Sequence, residues 1–170
     1  MTTEAAPPTV ATGPVAPADA GPRGIGGWLI LPILGFIGTI LLTGWSLAQS
    51  GQAYAGLFAI FVGATDQLAQ LRVPTAASLI GGILVVASAA GCLYLIFARK
   101  RAIIRFATAH YLILAVAGLV DLWAGFVMER VLAEPNDPSA IKEAIRGVVA
   151  AIIWIPYFHA SRRVRNTFVN

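Results

Sequence analysis

Charge, cysteine and recognisable catalytic patterns are all scarce in this chain. Of its 170 residues only 12% are Asp, Glu, Lys or Arg, against about 25% in an ordinary soluble domain. The single cysteine, Cys92, lies inside an apolar run. It has no partner for a disulfide, a CxxC pair or a zinc site, and reads as a small buried apolar side chain. There are two histidines, His110 and His159, and no HExxH, GxSxG, phosphate-loop or dinucleotide pattern set between a strand and a helix. Gly24, Gly26 and Gly27 resemble a phosphate loop only superficially, because no strand precedes them. The sequence therefore predicts no catalytic residue, no cofactor and no metal site, and a protein that is not an enzyme.

What is abundant is apolar surface: 58% of the residues are apolar. A soluble domain of this length leaves too much of its chain facing water to hide that fraction, so part of the solvent must be lipid. The formal net charge of +4 comes from 12 basic and 8 acidic residues. The bases cluster as Arg99, Lys100, Arg101 and Arg105, and as Arg162, Arg163 and Arg165, each group beside an apolar run. No stacking aromatics interleave with them, so they read as membrane-orienting residues and not as a nucleic-acid surface.

Along the chain, residues 1–23 are rich in proline and alanine and predict a disordered cytoplasmic tail. Residues 24–169 predict a membrane domain. Trp28 to Gln49 is 22 residues without a charge, about 33 Å as a helix, which matches a hydrocarbon core of about 30 Å. Further spans are predicted at about 74–98, 106–128 and 140–161. The last is the weakest, because Lys142, Glu143 and Arg146 occupy its first turns and only Gly147 to Phe158 is free of charge. Residues 51–73 mix apolar residues at helical spacing with Gln52, Asp66, Gln67, Gln70 and Arg72, which suits an amphipathic helix on the outer face. The predicted fold is all-α: a bundle of four transmembrane helices with an exterior amphipathic segment between the first two. With four spans, eight of the 12 basic residues fall on one side, which the positive-inside rule makes cytoplasmic, together with both termini.

Ionisable residues inside a span are costly and are therefore the functional candidates. His110 and Asp121 lie eleven residues apart, within about 20° of three full turns, so they share a face of the third span. Arg146 and Tyr157 share a face of the fourth in the same way. Comparable depths predict that Asp121 pairs with Arg146 and that His110 hydrogen-bonds Tyr157, fixing the register of two antiparallel helices. Glycines and other small residues in the first two spans, among them Gly35, Gly38, Gly44, Ser78 and Gly82, predict close helix packing within the chain or between copies.

Two stretches carry a resemblance. Gly24-Ile25-Gly26-Gly27-Trp28-Leu29-Ile30-Leu31-Pro32 followed by Gly35, and Pro156-Tyr157-Phe158 followed by Ser161-Arg162-Arg163-Val164-Arg165-Asn166-Thr167-Phe168-Val169, resemble the opening and the ending of the bacterial family catalogued as domain of unknown function 2569. The resemblance implies a small inner-membrane protein of four spans over residues 24–169, and no activity. It also sharpens the reading of the tail, Ser161 to Val169, as an amphipathic extension of the fourth helix. Arg162, Arg163 and Arg165 would then lie on an anionic leaflet, contributing roughly 1 kcal/mol each. The leading function is a non-enzymatic scaffold or accessory subunit, with the lipid bilayer and a membrane protein or second copy as partners. The alternative is a small transporter or channel with Asp121, His110 and Arg146 along a polar path.

Overall fold

A computed structural model describes residues 26–49, 62, 69–133 and 138–168. These residues are helical throughout apart from turns, with no strand among them. A 3-10 turn, Gly27–Leu29, runs directly into α1, Ile30–Gln49. Then come α2, Arg72–Phe97; α3, Ile103–Leu132; α4, Pro138–Ala160; and a short α5, Arg162–Thr167. The N-terminal tail and residues 51–61 and 63–68 of the expected amphipathic segment lie outside the described residues.

The helix boundaries follow from local chemistry. Pro32, Pro74 and Pro138 stand at or near the first turns of α1, α2 and α4, where the missing N–H has no partner to lose. Between α2 and α3 the chain turns in five residues. Arg99 takes a left-handed conformation (φ 52°), and the amides of Arg99 and Lys100 return to the carbonyls of Ile96 and Leu95 at 3.1 and 3.0 Å. Ala133 closes α3 in the same left-handed way. The third helix exceeds the predicted 106–128 at both ends.

Each helix packs against its neighbours in the chain, and small residues set the spacing. A methyl group added at Gly81 would stand 3.4 Å from Cβ of Ala117, across the α2–α3 interface. One at Gly118 would stand 3.1 Å from Cα of Ala144, and one at Gly147 3.1 Å from the carbonyl oxygen of Leu114, so the backbones of α3 and α4 nearly touch. The order of these contacts along each helix makes α2, α3 and α4 alternate in direction. At one end α1 joins them: Leu29 and Phe36 meet Cys92 and Ile96 of α2, Ile103 and Tyr111 of α3, and Phe158, Val164 and Phe168 from the end of the chain in one buried core.

Elsewhere the exterior is apolar. Leu42 and Trp45 of α1 are each 68% exposed, and Ile80, Leu112, Val116 and Ile152 also face outward. Three helices, Gly27–Gln49, Arg72–Phe97 and Ile103–Leu132, are long and apolar enough to cross a membrane. Lipid removes the cost of such a surface, and a helix satisfies its own backbone groups there. The fourth helix falls outside that class because Lys142, Glu143 and Arg146 crowd its first turns.

One expectation changes. The fourth helix does not continue into the tail. Ser161 is extended (ψ 117°), and its hydroxyl accepts from the amide of Val164 at 3.4 Å, capping a separate helix. Val164 and Phe168 are fully buried against the bundle. The apolar residues that were to anchor the tail in lipid therefore fill the protein's own core. Arg162 and Arg165 remain exposed, while Arg163 is half-buried.

Candidate functional site

Two ionisable residues of α3, His110 and Asp121, face α2. His110 is buried (1% exposed), and its Nδ1 lies 2.8 Å from Oγ of Ser88. The Ser88 hydroxyl gives its one hydrogen to the carbonyl of Val85 at 3.0 Å, so Nδ1–H of His110 donates to Ser88. Phe36 of α1 and Tyr111 close around the imidazole edge to face, at centroid distances of 5.1 and 5.2 Å. Further along the same interface Asp121 has Ser78 of α2 as a polar neighbour. Ser78 and Ser88 are ten residues apart on α2, and His110 and Asp121 eleven apart on antiparallel α3. The two polar pairs thus form a matched ladder with a rise of about 15 Å.

The sequence placed His110 and Asp121 on one face, and both do reach the same neighbour, but that neighbour is α2 and not α4. The reason is the split between two stripes of α3. His110, Ala117 and Asp121 belong to the stripe that meets Ser88, Gly81 and Ser78. Gly118 and Ala115, about 80° and 140° around the helix from His110, meet Ala144 and Gly147 of α4. Arg146 is exposed on α4, away from that contact. Tyr157 packs edge to face on Trp154 and Phe158, and Phe158 in turn lies against Tyr111, so a run of rings connects Tyr157 to His110 without a direct bond. One α3–α4 hydrogen bond instead joins Thr108 and His159: Thr108 donates to Ile104 at 2.8 Å, and Nε2 of His159 lies 3.0 Å from its oxygen. The two serines were the missed partners. Their spacing, matched to that of His110 and Asp121, was the signal that could have found them.

Removing a partner from the ladder has a definite expected cost. Ser88→Ala leaves the buried imidazole N–H without an acceptor, a loss of about 1–3 kcal/mol. Thermal unfolding in detergent micelles measures it, and Ser88→Thr, which keeps the hydroxyl, should recover most of it.

A second constellation joins the two ends of the described chain. The guanidinium of Arg163 lies over Gly26 and Gly27: Cβ positions built there stand 3.6 Å from Nη1 and 3.2 Å from Cζ, respectively. Gly27 is left-handed (φ 58°), while Gly26 is fully extended (φ −177°). Gly27→Ala should therefore cost about 1–2 kcal/mol from backbone strain alone and displace Arg163 as well. Gly26→Ala should change the midpoint of the same unfolding curve little.

Around this junction Arg99, Lys100, Arg101, Arg105, Arg162 and Arg165 are all exposed, forming one basic end of the molecule. No group of three or more His, Cys, Asp or Glu that could hold a metal ion occurs among the described residues. A shallow groove of about 270 Å³ between α2 and α3 is lined by Leu84, Ala87, Ser88, Phe106, Ala109 and Ile113.

These features define a class: an all-helical protein with apolar helices of membrane-crossing length, polar bonds inside its helix packing and a basic end. The chain belongs to the family described as "Protein of unknown function (DUF2569)", whose profile matches residues 22–169. The glycine-rich opening and arginine-rich ending that resembled this family from sequence are the two stretches that meet at the Arg163 junction. No match was found among curated proteins or among solved structures.

Proposed function

We propose that the chain crosses a bacterial inner membrane four times, with its basic end in the cytoplasm, and serves there as a non-enzymatic scaffold or accessory subunit. The fourth crossing is supported by the outward face of α4, where Ile141, Ile145, Val149, Ile152 and Ile153 follow helical spacing and are each at least 46% exposed. Lys142 and Arg146 stand close enough to its start to extend toward the headgroups. The observation that carries the function is the ladder. His110 is hydrogen-bonded to Ser88 within the chain, Asp121 has Ser78 beside it and Arg146 is exposed on α4, which supports packing roles over a shared polar path. What remains available to partners is a broad apolar exterior suited to lipid, another membrane protein or a second copy.

A small transporter is the second reading, favoured by one feature: Asp121 is exposed. A cysteine at position 121, in a Cys92→Ala background, separates the two. Labelling by an impermeant maleimide from one side at most agrees with the scaffold. Labelling from both sides overturns it in favour of transport.

A further inference from the structure

Asp121 is the one carboxylate in the three apolar helices that lies away from a helix end; Glu129, the other, stands in the closing turns of α3. From Asp121 to Leu132 is eleven residues, about 16 Å of helix. An ionised carboxylate at that depth is expensive unless it is paired, hydrated or neutralised. Ser78 beside it can fill only one of several acceptor positions, and the residue is exposed. The charged residues of the surrounding helices are Arg72 at the start of α2, Glu129 and Arg130 late in α3, and Lys142, Glu143 and Arg146 on α4. Helix α4 packs against the Gly118 stripe and not against that of Asp121.

A metal would need several oxygen ligands, and among the described residues no cluster of carboxylates, imidazoles or thiols gathers here. A proton needs only the carboxylate, and the serine can hydrogen-bond either form.

We propose that Asp121 is a membrane-embedded proton-binding site, loaded from the end of the bundle where α4 begins. This goes beyond the scaffold reading and shares with it only that α3 crosses the membrane. A proton-loaded carboxyl in such a chain would make its packing against α2 responsive to the acidity of one compartment.

Dicyclohexylcarbodiimide tests it, because this apolar reagent enters lipid and reacts with the protonated acid. The carboxyl O–H adds across one C=N bond, with oxygen bonding to the central carbon and the proton going to nitrogen. The acyl group then migrates to nitrogen to leave a stable N-acylurea, with nothing oxidised or released. The full chain in lipid nanodiscs should be labelled at Asp121, as read by peptide mass spectrometry. Labelling should be lost in Asp121→Asn and kept in Asp121→Glu. It should fall about tenfold per pH unit above its midpoint, and be the same in sodium and choline chloride. Protection by sodium would overturn the proposal in favour of a cation site. Absence of labelling at every pH, with this reagent and with a water-soluble carbodiimide plus an amine, would overturn it while leaving the crossing intact. Labelling by the water-soluble reagent alone would instead show Asp121 bathed in water and remove the crossing itself.

Discussion

Gly147→Leu should destabilise the protein by about 3 kcal/mol, the upper range for overpacking a close-packed site. The added side chain has nowhere to go. Its first carbon alone would stand 3.1 Å from the carbonyl oxygen of Leu114 and 3.3 Å from Cα of Ala115, and both are backbone atoms of a long helix that cannot yield locally. Gly118 faces the same constraint from the other helix, with Cα of Ala144 at 3.1 Å. The effect should thus appear as separation of α3 from α4. The control is Gly35→Leu on α1, where nothing lies within 4 Å of the added carbon. Leucine there relieves the conformational freedom of a helical glycine and should be neutral or stabilising by up to about 1 kcal/mol. Thermal unfolding of the three proteins in one detergent separates a packing role from mere helix propensity.

Phe168→Ala is the second large effect, at about 3–5 kcal/mol, the usual cost of emptying a buried aromatic site. Phe168 is 1% exposed and shares a core with Leu29, Phe36, Phe158 and Val164, so the substitution opens a void between the first and last helices. The charged side of the same segment should behave differently. Arg162 and Arg165 are exposed, and replacing both by alanine should change stability by less than about 0.5 kcal/mol per residue. A tail that held the protein to anionic lipid would reverse the order, with the arginines decisive and Phe168 dispensable in detergent. Measuring both variants in detergent and in anionic nanodiscs distinguishes a clasp within the protein from an anchor outside it.

The helices themselves were legible because their signals are local: uncharged runs of membrane-crossing length, prolines at first turns and basic residues at the stops. The shared face of His110 and Asp121 was legible for the same reason, since one helix's geometry fixes it. Which helix that face meets is not a local property. Depth alone admitted Arg146 and Tyr157 as partners. The choice is made by close contacts, Gly81 with Ala117 on one stripe and Gly118 with Ala144 on the other, and these depend on three helices at once. Where the apolar side of the tail packs was not legible for a related reason. Val164 and Phe168 form an apolar face whether it meets lipid or protein, and only the chain break at Ser161 and the position of Leu29 decide between them. The meeting of Gly27 with Arg163 joins residues 136 positions apart, which no window along the sequence can see.

In the proposed topology α3 and α4 both cross the bilayer, so that the α2–α3 turn and the tail share the cytoplasmic side. Single cysteines replacing Lys100, Ala133 and Arg162, all exposed positions, test it in a Cys92→Ala background with an impermeant maleimide on intact cells. With both helices crossing, position 133 is labelled from outside, while positions 100 and 162 are labelled only after the membrane is opened. Labelling of 162 together with 133 would contradict it, leaving α4 on the outer surface and the clasp between the first and last helices without a place to form.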